Sequence, residues 1–82
     1  MLKESKLLSK KEADRVVKLG KTIRRLREEK ELTLEDMEEL GYPSWRHFLA
    51  VELGKKNITI TTLFRIAEVL GVTPEKLISD LK

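Results

Sequence analysis

Trp45, Arg46 and His47 stand side by side after Ser44, and Lys55, Lys56 and Asn57 follow the next glycine. An arginine guanidinium can donate two parallel hydrogen bonds to paired acceptors such as guanine O6 and N7. An imidazole can donate to a base edge or a phosphate, and an indole offers a flat apolar face for a thymine methyl or a sugar. Ammonium groups attract phosphates without reading sequence. The chemistry on offer is therefore recognition rather than bond making. General acid–base or nucleophilic work needs titratable groups converging in a pocket. This chain has one histidine, no cysteine and no glycine-rich phosphate loop, and its carboxylates are spread along helical faces. Zinc would have only carboxylates to join the single histidine, an unusual set for that metal. We expect no enzyme, no metal site and no cofactor.

The elements that must position these side chains can be read from their ends. Ser44 is a hydroxyl residue able to cap a helix through Leu53, and Gly54 suits the left-handed residue that closes one. Thr33 with Asp36 opens a second short helix, through Leu40. Only Gly41, Tyr42 and Pro43 separate the two, so they predict a helix-turn-helix whose second helix can lie in a DNA major groove. Before them, Ser9 with Glu12 forms a capping box, and Ala13, Val16, Val17, Gly20, Ile23 and Leu26 recur in steps of three and four. This predicts a first helix from Lys10 to Glu29, with Gly20 either a weak point or a place where another helix crosses closely. Thr59 opens a fourth helix ended by Gly71, and Thr73 with Pro74 starts a fifth. No strand alternation is visible. The expectation is an all-α bundle of five short helices, a single domain over residues 9–82 behind a flexible basic lead-in over 1–8.

At 82 residues the chain is near the lower size for a self-sufficient core, and without cysteine it has no disulfide staple. No apolar run nears the roughly 20 residues of a membrane span, so a soluble, cytoplasmic protein without membrane partners is expected. The net charge of +3 conceals an asymmetry. Residues 1–30 carry eleven Lys/Arg against five Asp/Glu, residues 31–54 one against six, and residues 55–82 five against three. A basic balance favours phosphate partners, yet the helix-turn-helix lies in the acidic block.

From Leu19 to Leu81 the sequence resembles the lambda-repressor-like, Cro-type family of helix-turn-helix regulators. The resemblance rests on LGKTIRRLREEKELTLEDM, VELGKKN and TLFRIAEVLGVTPEKL in this order, and on the spacing from Met37 to Glu52. It implies the all-α fold, double-stranded DNA as partner, transcription regulation and a homodimer on a palindromic operator, with an antitoxin role also known in such proteins. It also implies a structural ion pair between Arg27 and Glu52. The chain departs from the family pattern at Tyr42, where glycine is usual and Gly41 falls one residue early. It departs again at Glu38, where alanine is usual, and at Leu34, where a phosphate-touching glutamine is common.

On this reading Trp45, Arg46, His47 and Ala50 are the candidate base contacts. Thr33, Ser44, Lys55, Lys56 and Asn57 are the candidate phosphate contacts, helped by the amides that open the two helices. Phe48 and Val51 should face the core. Each assignment has a plainer counterpart: Arg46 and the lysines as solvated surface charge, Trp45 as a staple on Tyr42, His47 as a surface or capping residue. Lys21, Arg24 and Arg25 fall on the outer face of the first helix. Leu77, Ile78 and Leu81, or the N-terminal extension, can supply a dimer contact. The apolar content of the third helix, with Trp45, Phe48, Leu49 and Leu53, also suits a protein-interaction module that would take a toxin or another protein partner.

Overall fold

The computed structural model describes residues 9–81. The lead-in over 1–8 lies outside the described residues. Five helices follow in order: α1 Lys10–Glu29, α2 Leu34–Glu39, α3 Trp45–Glu52, α4 Ile60–Leu70 and α5 Pro74–Ile78, with no strand among the described residues. The fold is all-α.

Every helix opens on a hydroxyl. Ser9, Thr33, Ser44, Thr59 and Thr73 each accept a hydrogen bond from the third amide of the helix that follows, satisfying one of the donors a helix start leaves unpaired. Ser9 and Thr33 are reciprocated by the Glu12 and Asp36 carboxylates, which accept from the two cap amides at 2.9 and 2.8 Å.

Four helix ends share one device, a residue with positive φ followed by an amide that reaches back five residues. Gly41 (φ 117°), Gly54 (φ 74°) and Gly71 (φ 69°) serve for α2, α3 and α4, and the amides of Tyr42, Lys55 and Val72 donate to the carbonyls of Met37, Ala50 and Ala67. At the end of α1 the same position falls to Glu31, at φ 59°, and the Leu32 amide returns to the Arg27 carbonyl. Gly41 thus closes α2 within the helix-turn-helix, one residue ahead of the place where the resemblance puts the turn glycine.

The core gathers Ile23, Leu26, Met37, Tyr42, Phe48, Val51, Leu63, Ile66, Ala67, Leu70 and Leu77, drawn from all five helices and the turn. α3 sits against both α1 and α2, and α5 bridges α1 and α4. Gly20 shows why α1 and α3 can lie so close: a Cβ there would fall under 3.0 Å from the carbonyl oxygens of Val51 and Glu52. The helix runs through Gly20 unbroken, so the glycine serves a crossing rather than a kink.

Two readings of apolar faces are corrected. The buried part of α1 begins only at Gly20; Ala13 and Val16 are half-buried, and Val17 is exposed although its backbone lies against Gly54 just past α3. Leu77 is wholly buried and cannot offer a dimer contact, whereas Ile78 beside it is 42% exposed.

Candidate nucleic-acid interface

The position of α3 is set from beneath. Phe48 and Val51, three residues apart, enter the core, and Glu52 is buried with them. The Arg27 guanidinium meets Glu52 side-on: Nε donates to Oε2 at 2.6 Å and Nη2 to Oε1 at 3.0 Å. Its remaining nitrogen, Nη1, donates to the Leu32 carbonyl at 2.8 Å. One side chain of α1 thereby holds the end of α3 and the loop leading into α2. The hydrogen bond to Glu52 pushes the Arg27 pKa up from its ordinary value, outweighing the opposing effect of burial.

The side of α3 away from these contacts carries Arg46, which is exposed, with Leu49 and Ala50 half-buried and Leu53 exposed at the helix end. Trp45 is half-buried at the first helical position, and the Arg46 guanidinium carbon lies 5.2 Å from its ring centroid. His47 is turned toward the turn instead, its Nδ1 2.7 Å from the Tyr42 hydroxyl and its ring stacked on the Tyr42 ring. When that hydroxyl donates to a neutral imidazole, the ring proton resides on Nε2, the nitrogen left for an outside acceptor. Tyr42 also meets Phe48 edge to face, with centroids 5.0 Å apart, and burial raises the pKa of its phenol. The aromatic partners of Tyr42 are thus His47 and Phe48, and Trp45 pairs with Arg46.

The helix starts differ from the open anion sites read from sequence. The Trp45 amide, first of α3, donates to the Glu38 carboxylate at 2.7 Å, and the His47 amide donates to Ser44 Oγ at 3.2 Å. At α2 the Asp36 amide donates to Thr33 Oγ1 at 3.0 Å while the Asp36 carboxylate takes the Thr33 amide. Carboxylates therefore already occupy both helix starts, where the helix dipole favours negative charge. Thr33 and Ser44 accept with their hydroxyl oxygens and keep a hydrogen to donate.

This accounts for much of the acidic block. Asp36 and Glu38 are held at helix N-termini and Glu52 by Arg27, leaving Glu31, Glu35 and Glu39 on the exposed surface. Lys55, Lys56 and Asn57 are exposed in the loop after α3. Arg24 and Arg25 make i,i+4 pairs with Glu28 and Glu29 at 3.0 and 3.2 Å. Among the described residues, no three His, Cys, Asp or Glu side chains cluster to hold a metal ion. No helix among them is long and apolar enough to cross a membrane.

Sequence reasoning missed Glu38 as a cap of α3 and Tyr42 as the partner of His47. Both link residues on opposite sides of the turn, and capping patterns within a single helix carry no signal for them.

Two capped helices joined by a glycine-closed turn, the second braced by a buried ion pair and carrying an exposed arginine at its start, define a helix-turn-helix protein. The chain belongs to the HTH-type transcriptional regulators. It is 36% identical over 61 residues to the uncharacterized HTH-type transcriptional regulator y4dJ of Sinorhizobium fredii, a match that covers 74% of this chain and 79% of that protein. No family model matches the chain, and no solved structure matches it.

Proposed function

We propose that the chain is a sequence-specific double-stranded DNA-binding transcription regulator of the lambda-repressor-like, Cro-type class, and not an enzyme. It acts in the cytoplasm as a homodimer on a palindromic operator. The observation that carries this reading is the mounting of α3: Arg27 and Glu52 fix its angle from within while Arg46 stands exposed at its start. A helix held in this way can enter a major groove N-terminus first.

In this reading Arg46 grips a guanine through O6 and N7, worth about 1–3 kcal/mol of discrimination. Ala50 meets a thymine methyl, and Trp45 and His47 are the remaining base contacts. Thr33, Ser44, Lys55, Lys56 and Asn57 contact phosphates and set the register of the protein on the duplex. Two copies place their α3 helices one DNA turn apart, about 34 Å. The carboxylates at the tip keep non-specific affinity low, so binding depends on two linked half-sites and falls steeply with salt.

The test is selection from random double-stranded DNA by the purified chain, at low and near-physiological salt, with the retained pool sequenced. The expected outcome is a palindromic motif containing guanine that Arg46→Ala abolishes. A pool without a motif would overturn the reading. Leu40 and Leu53 at the ends of α2 and α3 are 53% and 50% exposed, which supports a second reading, a protein-interaction module or antitoxin that docks a partner through exposed apolar residues of the helix-turn-helix. Loss of activity on Leu49→Ala with none on Arg46→Ala would favour it.

A further inference from the structure

We propose that Trp45 is a positioning residue for Arg46: the indole ring holds the guanidinium at the tip of α3, and the base preference of Arg46 depends on that ring. The inference rests on the DNA-reading role given to α3 above. The guanidinium carbon is 5.2 Å from the ring centroid, inside the range of about 6 Å over which a cation is drawn to an aromatic face. Neighbouring residues on a helix point about 100° apart, so a contact between positions 45 and 46 requires one side chain to lean across to the other. Trp45 is half-buried and Arg46 exposed, which makes the ring the fixed member and the guanidinium the one that leans. The ring is anchored through its backbone as well, since the Trp45 amide donates to Glu38 at 2.7 Å.

This arrangement has a consequence for recognition. An arginine surrenders much rotamer freedom when it grips a base, and a surface that has already gathered the side chain reduces that loss. A guanidinium drawn to a ring by its charge spends no N–H donor on a hydrogen-bond acceptor there, and those are the donors a guanine edge takes in pairs. Trp45 thereby contributes to specificity through Arg46, apart from any contact of its own with a base.

Two measurements on the full chain test this. In the free protein, the Arg46 side-chain protons should be shifted upfield by the indole ring current, and the shift should vanish in Trp45→Ala and persist in Trp45→Phe. On the duplex enriched by the wild-type chain, Trp45→Ala should weaken the preference at the base pair that Arg46→Ala affects. The expected loss is about two- to fivefold, the worth of an exposed cation–π contact, and Trp45→Phe should restore most of it. The double variant should lose no more at that base pair than Arg46→Ala alone, and circular dichroism melting would show that each variant is folded. An absent ring-current shift would overturn the proposal, as would a Trp45→Ala protein that keeps the full preference or loses it at another base pair. A wild-type pool with no motif, beside an intact ring-current shift, would overturn the DNA-reading role and this inference with it.

Discussion

Arg27 directs all three of its guanidinium nitrogens inward, two to Glu52 and one to the Leu32 carbonyl. Glu52 is only 5% exposed, so removing either partner strands a charge in the interior. Glu52→Ala should cost about 3–5 kcal/mol, read as a shift in the urea unfolding midpoint. Native domains have about 5–15 kcal/mol in total and one this small sits toward the low end, so the variant should lose a large share of its stability and melt at a clearly lower temperature. Tyr42 gives a second expectation, in pH. Burial raises its phenol pKa in the folded state, so the unfolded chain releases that proton first and rising pH favours unfolding. The contribution is fully present below the ordinary phenol value of about 10 and is lost as pH climbs from there through the folded value. Tyr42→Phe should flatten this alkaline loss in melting curves followed from neutral to strongly alkaline pH. The same variant should be less stable near neutrality, by about 1 kcal/mol, for want of the His47 bond. Tyr42 is the only tyrosine, so absorbance titration reports its ionisation directly.

At the scale of the elements, the helix ends carry the clearest expectations. Glu31 holds the left-handed position that closes α1, at φ 59°, where three other helix ends use glycine. Glu31→Gly should stabilise the fold by about 0.5–1 kcal/mol, visible as a higher melting temperature. Removing an anion from the negative end of the α1 dipole acts in the same direction. Glu38 bears on function. Its carboxylate takes the first amide of α3 and places a negative charge beside the proposed DNA-reading tip. Glu38→Gln should tighten DNA binding about two- to fivefold at low salt, the equivalent of about 0.3–1 kcal/mol. The gain should fade at high salt as exposed charges are screened. A fall in affinity in that variant would mean that Glu38 serves the interface by holding α3 rather than opposing phosphate.

For the whole molecule, the charge pattern and the small core point the same way. On the proposed function, the strongly basic first thirty residues and the lysine loop supply a long-range field, while the acidic helix-turn-helix limits indiscriminate contact. In the proposed dimer, log affinity should fall with log salt at a slope of about −0.9 per phosphate engaged. The slope on a duplex with two half-sites should be close to twice that on one half-site, measured by fluorescence anisotropy. Equal slopes would indicate a monomer. A surface joining two copies in the proposed dimer cannot centre on Leu77, which is wholly buried; Ile60, Phe64 and Ile78 are the exposed large apolar residues of α4 and α5.

What the sequence determined by itself is local. A capping hydroxyl and the residues just after it act within one helix, so the five helices and their starts could be read from neighbouring residues, as could the glycines that close α2, α3 and α4; the end of α5 at Ile78, short of Leu81, could not. The inward placement of Phe48 and Val51 followed from their spacing of three residues. Tertiary structure decided whatever depends on two elements meeting. Gly20 is a crossing point because the carbonyls of α3 lie against it, and Glu38 is a cap because the turn swings α3 back to it. His47 leans on Tyr42 for the same reason. The physical cause is range: caps and turns are settled by hydrogen bonds within a few residues, whereas close approach and burial depend on which surfaces the whole chain brings together.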